Sequence, residues 1–210
     1  AGEPDYLPAI YARVDLLIAG QRNPEALDFA QKAAAGIEDP AIRNILLGDT
    51  HNKLGDRNKA YESYQRAAET AQDNVTLALK LYDLANALHG TEQAERGLSD
   101  WLDRSGKAEH TLAVANYLLR QGKHTQARHY YEAYLKQDEH NAAVHNNLAW
   151  LLAEQGDKQQ ALVAARKAHA LSPASPAIMD TLGWLLLNNG SVAESEKYLL
   201  GAYKSLGHNP

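Results

Sequence analysis

Small and large apolar residues return along this chain in a register that repeats after about 34 residues. The small ones are Gly48, Ala60 and Ala67; Ala115 and Ala127; Ala149, Ala161 and Ala168; then Gly183, Ser195 and Ala202. Large apolar partners recur beside them: Leu47, Leu54 and Tyr64; Leu118 and Tyr131; Leu148 and Leu152; Leu182, Leu186 and Leu199. Two helices approach closely only where a small residue stands at the crossing, so this pattern predicts helical hairpins, each stacked on the next. Glycines punctuate it at Gly20, Gly55, the His89-Gly90 pair, Gly122, Gly156 and Gly190, where a left-handed residue ends one helix. Asp56 and Asp157 follow two of these glycines and are placed to accept from the free amides of the next helix. Pro24, Pro40, Pro173 and Pro176 fall at junctions that tolerate a missing amide.

Six units and twelve helices follow, over residues 5–40, 41–74, 75–107, 108–141, 142–175 and 176–209. The period and the small positions are those of the tetratricopeptide repeat. The expected fold is all-α, a right-handed α-solenoid of about six hairpins forming a single array over residues 1–210. A hairpin of this kind cannot bury its apolar face alone, and the stack leaves a concave surface that binds something. The third unit departs from the pattern. Tyr82 and Trp101 stand where small residues are expected and His89 replaces the turn glycine, so a bulky pair filling a wider gap, with a local change of pitch, is the expectation. His208-Asn209-Pro210 falls in phase with the earlier junctions, and the last helix offers Tyr198, Leu199, Ala202 and Leu206 to a successor. From this the chain is expected to be a segment of a longer array that self-associates through an uncapped C-terminal end.

Composition narrows the function. With 21 basic against 26 acidic residues, and no long run of Lys and Arg, nucleic acid is not an expected partner. The absence of cysteine excludes disulfides, thiolate metal sites and cysteine nucleophiles. The longest apolar runs, such as Leu182 to Leu187, are too short for a membrane span, and residues 1–7 lack the parts of a signal peptide. Among nine histidines, the pairs His124 with His129 and His140 with His145 lack the four-residue offset of helical metal ligands, and read as surface residues. His51 occupies a position where this repeat usually has tyrosine and is expected to be packed and hydrogen-bonded. No GxSxG, phosphate-cradling loop or isolated carboxylate pair occurs, so no catalytic residue, metal or cofactor is expected.

The most suggestive constellation is Asn146-Asn147-Leu148-Ala149-Trp150, followed one period later by Asp180-Thr181-Leu182-Gly183-Trp184. In a tetratricopeptide superhelix the first helix of each unit lines the groove, and the residue after the small crossing residue points into it. On that mapping Asn116, Trp150 and Trp184 form a ladder flanked by Asn146, Glu154, Asp180 and Asn188. Earlier units add Asp49, Asn52 and Lys53, then Asp83 and Asn86. Aromatic faces beside amides and carboxylates suit a peptide backbone or a sugar; the opposing reading makes both tryptophans structural fillers between first helices. The positions that hold a C-terminal carboxylate in chaperone-binding members of this superfamily carry Ile45, Leu79, Leu112, Asn146 and Asp180 here, which argues against such a clamp.

The texts NNLAWLLAEQGD and ALSPASPAIMDTLGWLLLNNG lie within residues 112–202. That stretch resembles tetratricopeptide lipoproteins associated with bacterial PEP-CTERM/exosortase and exopolysaccharide systems. The resemblance implies a longer, envelope-anchored or exported parent, a periplasmic or cell-envelope location, and a role in scaffolding polymer assembly or protein sorting. The expected function is therefore a non-catalytic scaffold that binds a protein or peptide segment in its groove. The alternatives are a carbohydrate-contacting periplasmic module, with polysaccharide as partner, and a structural spacer or self-assembly unit.

Overall fold

The structure, a computed structural model, describes residues 6–205. All twelve elements among the described residues are α-helices, and they fall into two compact units, residues 1–106 and 107–210. The first unit holds α1 (Leu7–Ala19), α2 (Asn23–Ala35), α3 (Pro40–Lys53), α4 (Arg57–Ala68), α5 (Val75–His89) and α6 (Thr91–Ser105). The second holds α7 (Ala108–Arg120), α8 (His124–Leu135), α9 (Ala142–Glu154), α10 (Lys158–Leu171), α11 (Pro176–Asn188) and α12 (Val192–Ser205). Within each unit every helix packs on the next in sequence, and first helices also meet first helices, α1 with α3 and α9 with α11. Each unit is thus a stack of three helical hairpins, the α-solenoid arrangement that the period implies.

The local chemistry explains where the helices start and stop. Asp39 accepts from the amides of Ala41 and Ile42, and Asp56, Asn74, Asn141 and Asp157 each accept from the amide three residues on. Such caps satisfy donors that the first turn leaves free. Five of the six punctuating glycines have the expected positive φ, with Gly90 rather than His89 as the turn residue of the third hairpin. The first loop differs. Gly20 has φ −80°, and the left-handed residue is Gln21 at φ 58°. The chain turns one residue later than the glycine suggests, so this loop holds a side chain where the others hold none.

Crossings sit where the small residues predict them. A methyl built on Gly48 would lie 2.4 Å from Tyr64 Cε1, and one on Gly183 would lie 2.7 Å from Leu199 Cγ. Ala60, Ala67, Ala115, Ala127, Ala149, Ala161, Ala165 and Ala168 are fully buried, around large buried partners such as Tyr64, Tyr131, Leu118 and Leu182. His51 is also buried, as expected for a packed position.

The sequence expectations fail at two packing sites. Tyr82 is buried, donating its hydroxyl to Glu95 at 2.8 Å, and Trp101 Nε1 donates to the Gln72 carbonyl at 2.8 Å. Yet this bulky pair does not fill its gap, because a cleft of about 190 Å³ remains between α4, α5 and α6. On α12, the residues expected to face a successor are spent inside the unit: Ala202 is buried, Leu199 covers Gly183, and Tyr198 meets the His169 ring edge-on at 5.0 Å. The exposed large apolar residues of α12 are Val192, Leu200 and Tyr203 instead. Leu206 and the His208-Asn209-Pro210 junction lie outside the described residues.

Candidate functional site

In the first unit the residue after the crossing glycine is Asp49, and it is a hub. Its carboxylate accepts from the hydroxyls of Tyr11 and Tyr64 and from the Lys80 ammonium, joining α1, α3, α4 and α5. Burial, reinforced by this carboxylate, holds the Tyr64 phenol well above its ordinary range, so it remains a donor at any physiological pH. One turn further along α3, Lys53 pairs with Asp15 and lies 5.7 Å from the centre of the Tyr11 ring. An open depression of about 470 Å³ is lined by Asp49, Asn52, Lys53, Arg57, Lys80 and Asp83 among others, and it is mixed in charge. Asn86 does not line it; its carboxamide oxygen accepts from Thr91 Oγ1 at 2.8 Å.

The second unit repeats this motif without the charge. Tyr131 donates to Asn116 Oδ1 at 2.6 Å and accepts from Asn147 Nδ2 at 3.1 Å. Asn116, Tyr131 and Asn147 correspond to Asp49, Tyr64 and Lys80 two repeats earlier, each triplet tying a first helix to its own second helix and to the next first helix. Sequence reasoning selected Asp49 and Asn116 as groove residues but missed Tyr11, Tyr64, Lys80 and Asn147. The signal was present: a tyrosine fifteen residues after the polar position in both hairpins. These polar residues hold helices together before they offer anything to a ligand.

Trp150 and Trp184 stand at the next two equivalent positions, on α9 and α11, and no tyrosine faces them from their own second helix. The corresponding second-helix residues are Ala165 and Leu199. The indoles are accordingly 39% and 48% exposed, although Trp is a residue that folding usually covers. Trp150 is steadied from one side by His124, whose ring meets it edge-on at 5.1 Å and whose Nδ1 lies 2.6 Å from Glu154 Oε2. Asp180 and Asn188 flank Trp184 at four residues on either side, and Leu187 beside it is 46% exposed. Asn146, one turn before Trp150, is half-buried, and its Oδ1 is covered without a hydrogen-bond partner in the protein. Of the residues that the sequence singled out in the second unit, Trp150, Glu154, Asp180, Trp184 and Asn188 are exposed on α9 and α11, Asn146 is half-buried, and Asn116 is occupied by Tyr131.

No cluster of three or more metal-ligating side chains occurs among the described residues. His129 and His140 are exposed, and His145 Nε2 lies 3.0 Å from the Glu139 carbonyl oxygen. No helix among the described residues is long and apolar enough to cross a membrane.

The fold is that of a helical-repeat module built from stacked hairpins. Residues 43–74 and 112–176 each match family models of the tetratricopeptide repeat, so the chain carries tetratricopeptide repeats in both of its units. It is similar to the TPR repeat-containing protein PA4667 of Pseudomonas aeruginosa, 24% identical over 197 residues, which cover 93% of this chain and 28% of that protein. The chain therefore spans little more than a quarter of that relative. Among solved structures it is similar to MamA (TM-score 0.54, 18% identity, 77% of this chain and 95% of that one). It is also similar to YrrB, described as a TPR protein with an unusual peptide-binding site (TM-score 0.52, 15% identity, 84% and 91% covered). A third likeness is to PilF of Pseudomonas aeruginosa (TM-score 0.51, 15% identity, 82% and 79% covered). At these identities the structural likenesses speak to the fold.

Proposed function

We propose that this chain is a non-catalytic interaction scaffold, and that the surface of its second unit carrying Trp150 and Trp184 binds an extended segment of a partner protein. The observation that carries the reading is the exposure of two indoles one repeat apart on neighbouring first helices. The exposed part of each ring adds nothing to the packing of the stack, whereas two rigid, largely apolar rings give a large contact area at little cost in side-chain entropy. Their exposed flanking groups, Glu154 on α9 and Asp180 and Asn188 on α11, supply acceptors and donors for a peptide backbone lying across both helices. The unusual peptide-binding site of YrrB supports this use of the fold. The resemblance of residues 112–202 to envelope lipoproteins favours a partner from bacterial cell-envelope protein sorting or exopolysaccharide assembly.

The test is affinity capture from a cell-envelope extract with the wild-type chain and with the Trp150→Ala, Trp184→Ala variant, the latter first shown by circular dichroism to keep its helix content. A peptide from the captured protein is then titrated against both chains. Removing two aromatic anchors should weaken binding at least about ten-fold, since such residues carry much of an interface's energy. Equal affinity for both chains would remove the indoles from the interface. Quenching of the indoles by polysaccharide fragments, with no protein captured, would shift the function to carbohydrate contact.

A further inference from the structure

The cleft in the first unit has a cause that can be read position by position. In the second helices the residue three places after the first buried small residue is Phe29, Ser63, Gly97, Tyr130, Ala164 and Tyr198 in turn. Tyr198 packs on the core of its unit and meets His169 of the preceding second helix, so this is a position from which a side chain fills the groove between successive second helices. The third hairpin alone has glycine there. A methyl built on Gly97 would meet no atom within 4 Å. Four residues later, where Ala67, Ala168 and Ala202 stand in other hairpins, is Trp101. Mass has been removed at one position and added one turn away. The result is a cleft with a closed floor and an aromatic wall.

Its floor is buried and apolar, including Ala85, Ala94 and Leu98, and Tyr61 and half-buried Trp101 contribute its aromatic sides. The indole N–H of Trp101 is committed to the Gln72 carbonyl, which fixes the ring and leaves carbon to the cleft. At the rim stand the amides of Gln65 and Gln93 and one charged group, Arg104, which is exposed and has no ion-pair partner among the described residues. The volume of about 190 Å³ is that of a fragment: an apolar cavity of roughly 150 Å³ takes up benzene, so one ring with a short tether fits and a fused polycycle does not. A mid-helix glycine and an unfilled apolar cleft both oppose stability, and here they coincide.

We propose that this cleft binds a small aromatic carboxylate, with its ring between Tyr61 and Trp101 and its carboxylate on the Arg104 guanidinium. Aromatic walls favour an aromatic ring over an aliphatic chain, and a forked guanidinium at the mouth matches a planar carboxylate. The site is separate from the Trp150 and Trp184 surface, and either proposal can fail without the other.

The experiment is an NMR titration of the full chain with 3-phenylpropionate and, in parallel, with its neutral amide, following the three indole N–H signals. The expected result is a saturable shift of the Trp101 signal at sub-millimolar to millimolar probe, with Trp150 and Trp184 unmoved. Binding should weaken at least about ten-fold in Gly97→Leu, since Gly97 lines the cleft and a Cβ there meets no atom within 4 Å. It should weaken about five-fold or more in Arg104→Gln, or when the amide replaces the acid. Gly97→Leu introduces a good helix former in place of glycine, so it should keep its fold, and retained helix content makes loss of binding a statement about the cleft. No Trp101 shift at about 10 mM probe, a shift centred on Trp150 or Trp184, unchanged binding by Gly97→Leu, or equal affinity for acid and amide would each overturn the proposal.

Discussion

Replacing Gly48 by alanine tests the crossing of α3 and α4. The new methyl would lie 2.4 Å from Cε1 and 2.5 Å from Cδ1 of Tyr64, about 1 Å inside an ordinary carbon–carbon contact. Tyr64 is 1% exposed and its hydroxyl is held by Asp49, which also binds Tyr11 and Lys80, so the ring has no free direction in which to swing. The relief left is a separation of the two helices. Hairpin α7–α8 has that alternative built in, with Ala115 and Tyr131 both fully buried at the equivalent positions, so the strain is finite. Overpacking of this kind costs about 1–3 kcal/mol, and replacing glycine by alanine within a helix returns about 1 kcal/mol. The expected net effect is a loss of up to about 2 kcal/mol, measured by urea unfolding followed by circular dichroism. A double-mutant cycle isolates the cause. In a Tyr64→Ala background the clash is gone, and the same substitution should stabilise by up to about 1 kcal/mol, a reversal of sign worth about 2 kcal/mol of coupling. The same loss in both backgrounds would show that Tyr64 is not what Gly48 makes room for, and would refute the reasoning.

Asp49→Ala leaves the buried Tyr64 hydroxyl without its acceptor and should cost about 2–3 kcal/mol in the same assay, the exposed share of the Lys80 contact adding little. Asp49→Asn, which reproduces the carboxamide that Asn116 offers to Tyr131, should cost about half as much. Burial lowers the pKa of His51 in the folded chain, so its neutral form is the one that folding favours. Its contribution is therefore fully present above the unfolded value of about 6.5 and is lost as pH falls from there towards the folded pKa. His51→Gln should flatten the pH dependence of stability in that window, as read from urea midpoints at a series of pH values. Gln21→Gly should stabilise by about 0.5–1 kcal/mol, because it removes a side chain from a left-handed residue; an unchanged midpoint would mean that the Gln21 backbone carries no strain.

The amino-acid pattern by itself determined the helices, their pairing and most of their ends. A period of about 34 residues with small residues at fixed places admits one solution, since axes that cross at Gly48, Ala115, Ala149 and Gly183 force each helix against a defined neighbour. Caps such as Asp56 and Asp157 were equally legible, because a cap acts within three residues of itself. The positions of Trp150 and Trp184 on the first helices were legible as well, but not whether these rings were filler or surface. That depended on what stands opposite them on another helix. Tyr64 and Tyr131 reach across to Asp49 and Asn116, while Ala165 and Leu199 make no such contact with Trp150 and Trp184.

The same limit explains the third hairpin. Whether Tyr82 and Trp101 fill their gap is a question of volume among three helices, and Gly97, one turn before Trp101, decided it in favour of a cleft. In the first loop the left-handed conformation fell on Gln21, in register 34 residues before Gly55, rather than on the adjacent Gly20. Periodicity carries the information that each helix needs about its own faces. Tertiary structure decided which side chains meet across faces, because that depends on the sum of side-chain volumes at positions a repeat or more apart.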